Sequence, residues 1–209
     1  MTQYKKDEIK QKIDNAAIQI FLREGYINAK MSEIAKNAKI SVGNIYRYYS
    51  NKDELFYSIM PEGFVNEFKA KLFMKLTVAR DKGLEGHKTD TAYLEATEQF
   101  IRFLAKHRHQ FIILVEHGKE TKYENFKDDL VDFLIETVKR NYMNSDEGQY
   151  FLVHDLVPIL RVLFENLINI YSGTMRQNSS VEKITNDLRI INKYHLSGMI
   201  EVLRPWITP

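Results

Sequence analysis

Apolar residues recur at three- and four-residue intervals along most of this 209-residue chain, and no long stretch alternates with the two-residue period of a strand. Ile9, Ile13, Ala16, Ala17, Ile20 and Phe21 form one face of a first helix that ends near Gly25, a residue suited to the left-handed position after a helix. Met31, Ile34, Ala35 and Ala38 mark a second, short helix. Only Lys39 to Ser41 separate it from a third, in which Val42, Ile45, Tyr46 and Tyr49 share a face at i, i+3, i+4 and i+7. Gly43, Asn44, Arg47 and Tyr48 then occupy the opposite face. Ser41 is placed to cap this helix by accepting from the Asn44 N–H, and Ser50 with Asp53 has the spacing of a second cap, so that a new helix starts near Asn51. Two short helices joined by about three residues describe a helix-turn-helix.

From Asn51 a longer helical pattern runs to about Lys82, with Pro61 inside it. Further helices are expected over 89–106, 108–117, 123–142, 148–175 and 181–204, and the natural domain division is 1–56 and 57–209. Over 148–175, one apolar strip runs through Leu152, Leu156, Leu160, Leu163, Leu167 and Tyr171, and a second through Val153, Val157, Phe164 and Ile168. The last helix is similar, with Leu188, Ile191, Leu196, Met199, Ile200 and Leu203, and Ser197-Gly198 permits close helix approach. A helix apolar over most of its circumference is buried on two sides. The second side faces either a thick core of its own chain or a partner subunit. The fold class is all-α.

Composition narrows the chemistry. The chain has no cysteine, which excludes disulfides, cysteine-ligated zinc, iron–sulfur clusters and thiol catalysis. No apolar run approaches the roughly 18–20 residues of a membrane span, and the charged start MTQYKKDEIKQKID is no secretory signal, so a soluble cytoplasmic protein is expected. Residues 1–56 hold ten Lys/Arg against seven Asp/Glu, and the rest holds twenty against twenty-one, a mildly basic module on a neutral body. The histidines are His87, His107, His109, His117, His154 and His195; the 107–109 pair falls at a helix junction, and His154-Asp155 face different sides of one helix. No HExxH, glycine-rich phosphate loop or GxSxG is present. Neither an enzyme nor a metal site is expected, and no cofactor.

The ordered set Ala16-Ala17, Phe21, Gly25-Tyr26, Ile34-Ala35, Ala38, Ser41-Val42-Gly43, Ile45-Tyr46, Tyr49, Ser50, Lys52 and Leu55 resembles the N-terminal domain of the TetR family of transcriptional regulators. The resemblance covers about the first quarter of the chain. It implies a three-helix DNA-binding domain, followed by a larger helical domain for ligand binding and dimerisation. Two departures stand out: Ala29-Lys30 replaces the family's usual hydroxyl pair, and Lys39-Ile40 replaces its usual Gly-Val. The second strains the turn and adds a positive charge beside the DNA.

A recognition helix enters the major groove by its N-terminal end. There the absence of a side chain at Gly43 permits close backbone approach, Asn44 can bond adenine in bidentate fashion, and Val42 can touch a thymine methyl. Arg47 and Tyr48 reach phosphate or base edges, and Lys30, Ser32 and Ser41 complete the candidate DNA contacts. The resemblance implies phosphate clamping by Tyr46 and Lys52, contacts that set register rather than sequence. Plainer roles stay open: Tyr46 and Tyr49 as core, Arg47 as a solvated charge, Asn44 as an ordinary first-turn residue. One such unit reads too few base pairs, so a homodimer on palindromic double-stranded DNA is expected, with its seam in 148–175 and 181–204.

For the larger domain the resemblance implies a small hydrophobic or amphipathic effector. Candidate lining residues are Phe103, Phe111, Glu116, His117, Tyr123, Phe126, His154, Phe164 and Glu165, although aromatics at helical spacing are more often plain core. The reading that emerges is a DNA-binding repressor released by ligand. The alternative is a helical carrier or enzyme that keeps a helix-turn-helix as scaffold. Pro61 either kinks a continuous signalling helix or starts a new one.

Overall fold

A computed structural model describes residues 3–78, 88–142, 156–178 and 180–203. Among them no strand occurs, and the helices are α1 (Gln3–Asn28), α2 (Met31–Ala38), α3 (Val42–Ile45), α4 (Lys52–Ile59), α5 (Glu62–Thr77), α6 (Thr91–Lys106), α7 (Arg108–Glu116), α8 (Phe126–Tyr142), α9 (Val157–Gln177) and α10 (Val181–Leu203). The start of the helix expected over 148–175 lies outside the described residues up to 155.

Local chemistry sets the boundaries. Ser41 accepts from the Asn44 N–H at 3.2 Å, as its spacing predicts. The next cap is Asn51 rather than Ser50: its side chain accepts from the Glu54 N–H at 2.8 Å, and Glu54 reaches back to the Ser50 N–H at 2.7 Å. Asn51 takes the role because its backbone is extended while its amide oxygen reaches the first turn. Asp90 caps α6 through the Tyr93 N–H at 2.9 Å. Gly25 has a positive φ of 72° with ψ 170°, extended rather than the left-handed helical turn expected, and α1 bends there before one further turn to Asn28. A β-carbon on Gly25 would also lie 3.4 Å from Nδ1 of His117.

Pro61 starts a new helix. α4 ends at Ile59, Met60 leaves helical geometry at φ −119° and ψ 61°, and the Phe64 N–H donates to the Pro61 carbonyl at 2.9 Å. A proline has no N–H to lose at a first turn, so α5 begins there without penalty. Of the two readings of Pro61, the structure has the one in which it starts a new helix.

By contacts the chain forms two packing units, residues 1–66 with 109–126, and residues 67–108 with 127–209. In the first unit, α1, α2 and α4 bury Ile13, Ala17, Ile20, Phe21, Ile34, Leu55 and Phe56 almost completely. Segment 109–126 joins them: the Tyr26 N–H donates to the His117 carbonyl at 3.4 Å, and the Lys122 N–H to the Tyr57 hydroxyl at 3.1 Å. In the second unit, Phe68, Phe100, Leu104, Leu160, Phe164, Ile168, Leu188 and Ile200 are buried.

The two apolar strips expected on the helix over 148–175 are distributed differently. Leu160, Phe164, Ile168, Tyr171 and Met175 are buried, Leu163 and Leu167 are half-buried, and Ile159, Val162 and Ile170 stand exposed. On α10, Ile184 and Leu188 are buried, whereas Ile190 and Tyr194 are 69% and 76% exposed.

Lys39, which closes α2, is a non-glycine residue at φ 57°, so its side chain crowds the following carbonyl. Lys39→Gly removes that crowding, partly offset by the looser unfolded chain. It is expected to stabilise the protein by about 0.5–1 kcal/mol in urea unfolding.

Candidate nucleic-acid interface

α3 has only four helical residues, Val42–Ile45, and not the two turns its sequence period predicts. Tyr46 closes it, and both the Tyr48 N–H at 2.8 Å and the Tyr49 N–H at 3.0 Å turn back to the Ile45 carbonyl. Two side chains fasten this segment, Ile45 at 0% and Tyr49 at 3% exposure. The Tyr49 hydroxyl donates to Asp14 on α1 and accepts from Ser58 on α4 at 3.1 Å. Burial and the Asp14 carboxylate raise the Tyr49 phenol above its usual range, so it stays a neutral donor.

The four-residue apolar face expected of this segment is split. Ile45 and Tyr49 point into the core, while Val42 is 38% and Tyr46 50% exposed. Lys30, Ser32, Ser41, Gly43 and Arg47 are also exposed, and Asn44 and Tyr48 are half-buried. A β-carbon added to Gly43 would meet nothing within 4 Å, so the fold itself leaves room for a side chain there. Between Glu33 and Asp53 the chain carries Lys36, Lys39, Arg47 and Lys52 and no acid. Lys36 and Lys39 are exposed members of this basic surface; Lys39 is the charge that the departure from the family places beside the DNA, whereas neither the helix period nor the resemblance selected Lys36. The acid-free run was the signal that marks them.

Lys52 sits differently from its neighbours. Its ammonium donates to the carbonyls of Tyr26 at 2.6 Å, Ile27 at 3.1 Å and Ala29 at 3.3 Å, and lies 4.3 Å from the centre of the Tyr26 ring. All three N–H groups are thus engaged with the C-terminal end of α1, where a cation meets the unpaired helix carbonyls. A phosphate has to compete with those carbonyls for Lys52. The Tyr26 hydroxyl completes the joint by donating to Asp53.

Residues 13–59 match the family described as bacterial regulatory proteins, tetR family. The match covers the helix-turn-helix domain and less than a quarter of the chain. It is 35% identical over 51 residues to the HTH-type transcriptional regulator HbdR of Aromatoleum sp. (strain CIB), a match covering 24% of this chain and 22% of that protein. It is 34% identical over 65 residues to an HTH-type transcriptional regulator of Staphylococcus aureus (strain USA300), covering 30% and 35% respectively. The match to these curated relatives therefore spans about a quarter to a third of their length. The overall fold is similar to the crystal structure of a TetR-like transcriptional regulator from Rhodococcus sp. RHA1, at TM-score 0.52 and 24% identity over 91% of this chain and 96% of that one.

Outside the tetR-family domain, the candidate ligand residues fall into both packing units. Phe111, Glu116, His117, Tyr123 and Phe126 belong to the first unit, and Phe103, Phe164 and Glu165 to the second. Phe111, Tyr123 and Phe126 are buried, Glu116 is exposed, and the Tyr123 hydroxyl donates to the Met60 carbonyl at 3.4 Å. Phe103 and Phe164 are buried in the second unit, and Glu165 is half-buried. His154 lies outside the described residues. Among the described residues no group of three or more His, Cys, Asp or Glu side chains is arranged to hold a metal ion, and no helix is long and apolar enough to cross a membrane.

Lys52→Met removes three charge-assisted hydrogen bonds from the end of α1 and leaves the carbonyls to water. It is expected to destabilise the protein by about 1–2 kcal/mol in urea unfolding. A destabilisation within error of zero would show that the clamp contributes nothing to the tetR-family domain.

Proposed function

We propose that the chain is a DNA-binding transcriptional regulator, a homodimeric repressor in the cytoplasm that a small hydrophobic or amphipathic ligand releases from a palindromic operator. The observation that carries this reading is Gly43. The fold leaves the position open, yet it holds the residue type that lets backbone approach a partner most closely. Around it stand Val42 and Tyr46, exposed apolar groups on an acid-free basic surface, with Asn44 and Arg47 between them. A solvent-facing helix has no use for that combination. A major groove does, because it offers thymine methyls, adenine edges and flanking phosphates together. Tyr46, Arg47, Tyr48, Lys30 and Ser32 take the phosphate contacts, joined by Lys36 and Lys39.

Dimerisation is supported by the outer faces of α9 and α10. Ile159, Val162 and Ile170 follow one stripe of α9, Ile190 and Tyr194 one stripe of α10, and β-carbons on Gly173 and Gly198 would meet nothing within 4 Å. Two copies packing these helices as a four-helix bundle would cover the stripes and carry two recognition segments. Specific binding requires those segments about 34–36 Å apart, one turn of DNA. Repression follows when the bound dimer occludes a promoter, and a ligand acts through its different affinities for the two spacings.

A gel shift with the DNA upstream of the chain's own coding region tests the reading. Gly43→Ala is expected to leave folding stability unchanged or raise it by up to about 1 kcal/mol, because alanine suits a helix better. The same change is expected to weaken specific DNA binding about tenfold or more, since the β-carbon meets the DNA backbone or bases. Equal DNA affinity in Gly43→Ala would remove the glycine from the interface.

Tyr194→Asp places a charge in the middle of the proposed seam. Sedimentation at micromolar concentration is expected to show a dimer for the unaltered chain and a monomer for this variant. A dimer in both would move the seam elsewhere.

A further inference from the structure

The second packing unit contains buried polar groups that its apolar core does not require. Lys75 on α5 is 7% exposed, and its ammonium donates one hydrogen bond, to Oδ1 of Asn192 on α10 at 2.6 Å. The ring of Phe100 on α6 lies 5.6 Å from the same nitrogen. An ammonium carries three N–H donors and a full charge, so most of its bonding capacity is unused. Among the described residues no carboxylate pairs with it, and burial is the cause that lowers its pKa. On α9 the Tyr171 hydroxyl is buried, at 4% residue exposure, and has no hydrogen-bond partner among the described residues. It neighbours Tyr93, which in turn lies beside Asn192. Four helices thus converge a cation, an amide and an unsatisfied hydroxyl in one aromatic-rich interior.

Stability alone argues against this arrangement. An unpaired buried charge is costly, and a methionine or leucine of similar volume would cost nothing of the kind. Such a group is satisfied when a ligand supplies the missing charge. A neutral ligand leaves the charge unpaired, and a phosphate dianion brings more charge than one ammonium neutralises. We infer that Lys75, Asn192 and Tyr171 form the polar end of a binding site for an organic monocarboxylate with an apolar body, and that this molecule is the effector. One carboxylate oxygen accepts from the Lys75 ammonium and the other from the Tyr171 hydroxyl, while Phe100 and Phe164 supply apolar surroundings. The effector role rests on the reading proposed above; the binding site does not.

The protonation states suit that chemistry. Burial lowers Lys75 to about 8, which leaves it mostly charged at neutral pH. Burial and the nearby Lys75 charge lower His195 on α10 to about 4, so it is neutral there. Burial raises the Tyr93 and Tyr171 phenols, which keeps both protonated. Between pH values of about 7 and 9.5, Lys75 is then the group of this cluster that changes charge. Carboxylate affinity is expected to fall across that window.

The test uses the full chain with octanoate and phenylacetate, against the matched neutral octanamide and phenylacetamide, by calorimetric titration. At least one carboxylate is expected to bind about tenfold or more tighter than its amide and to weaken as the pH rises. Lys75→Met is expected to fold, melt at or above the temperature of the unaltered chain, and lose the preference for carboxylate. Tyr171→Phe removes only an unpartnered hydroxyl, so it folds in any case; it is expected to weaken the carboxylate severalfold and leave the amide unchanged. Equal binding of amide and carboxylate overturns the inference. So does unchanged carboxylate affinity in Lys75→Met or in Tyr171→Phe, or the absence of binding by either carboxylate at about 1 mM. A carboxylate that binds through Lys75 while leaving DNA affinity unchanged establishes the site and removes ligand release from the proposed function.

Discussion

A helix of four residues has no stability of its own, so the surface around Gly43 depends on how α3 is fastened from behind. Ile45 and Tyr49 do the fastening. Tyr49 places a phenol ring in the core and connects its hydroxyl to Asp14 of α1 and Ser58 of α4, which makes the burial of a polar group tolerable. The same bonds tie the segment around α3 to α1 and α4. Lys52 adds the remaining constraint, because its hold on the end of α1 fixes where α4 begins relative to that helix. Rigid positioning of a short segment is what a reader of base edges requires, since hydrogen bonds to bases tolerate little displacement.

Two glycines and a lysine show different backbone demands. Gly25 is required by the fold: its φ is 72°, and a β-carbon would come to 3.4 Å from His117. Gly43 has ordinary helical geometry and open space, so the fold does not require it. Lys39 occupies a left-handed position that glycine would fill at lower cost, yet the chain keeps a cation there, on the same acid-free surface as Lys36 and Arg47. In each case the local conformational cost, or its absence, separates what folding needs from what it does not.

The second unit distributes charge in two ways. At its surface, Arg189 of α10 and Arg102 of α6 both bond Glu98 and hold its carboxyl down at about 2, yet such exposed pairs contribute little to stability. In its interior, Lys75 has no anion beside it among the described residues. The unit therefore accepts a destabilising cation where solvent cannot compensate it, and leaves apolar stripes of α9 and α10 facing outward where solvent penalises them. Both features support the proposed ligand and partner subunit.

Periodicity determined the all-α class, the helix-turn-helix, the cap at Ser41 and the helix break at Gly25, because each depends on residues within a few positions of one another. The same reasoning misplaced features that depend on distant neighbours. Val42 and Tyr46 share a helical stripe with Ile45 and Tyr49, but only the latter two are buried, and Tyr49 bonds to α1 and α4, so tertiary approach decided which half of the stripe is core. Asn51 displaced Ser50 as cap because the chain enters α4 extended at Asn51, and the choice between the two readings of Pro61 was made when Met60 left helical geometry. The resemblance implies a phosphate contact for Lys52; the carbonyls that also engage it lie more than twenty residues earlier, beyond what spacing shows. The aromatic candidates for a pocket could not be sorted into two packing units from their spacing, and Lys75 and Tyr171 gave no sign of sharing an interior. Spacing along one helix fixes direction from its axis, while burial and bonding partners are fixed only when other helices arrive.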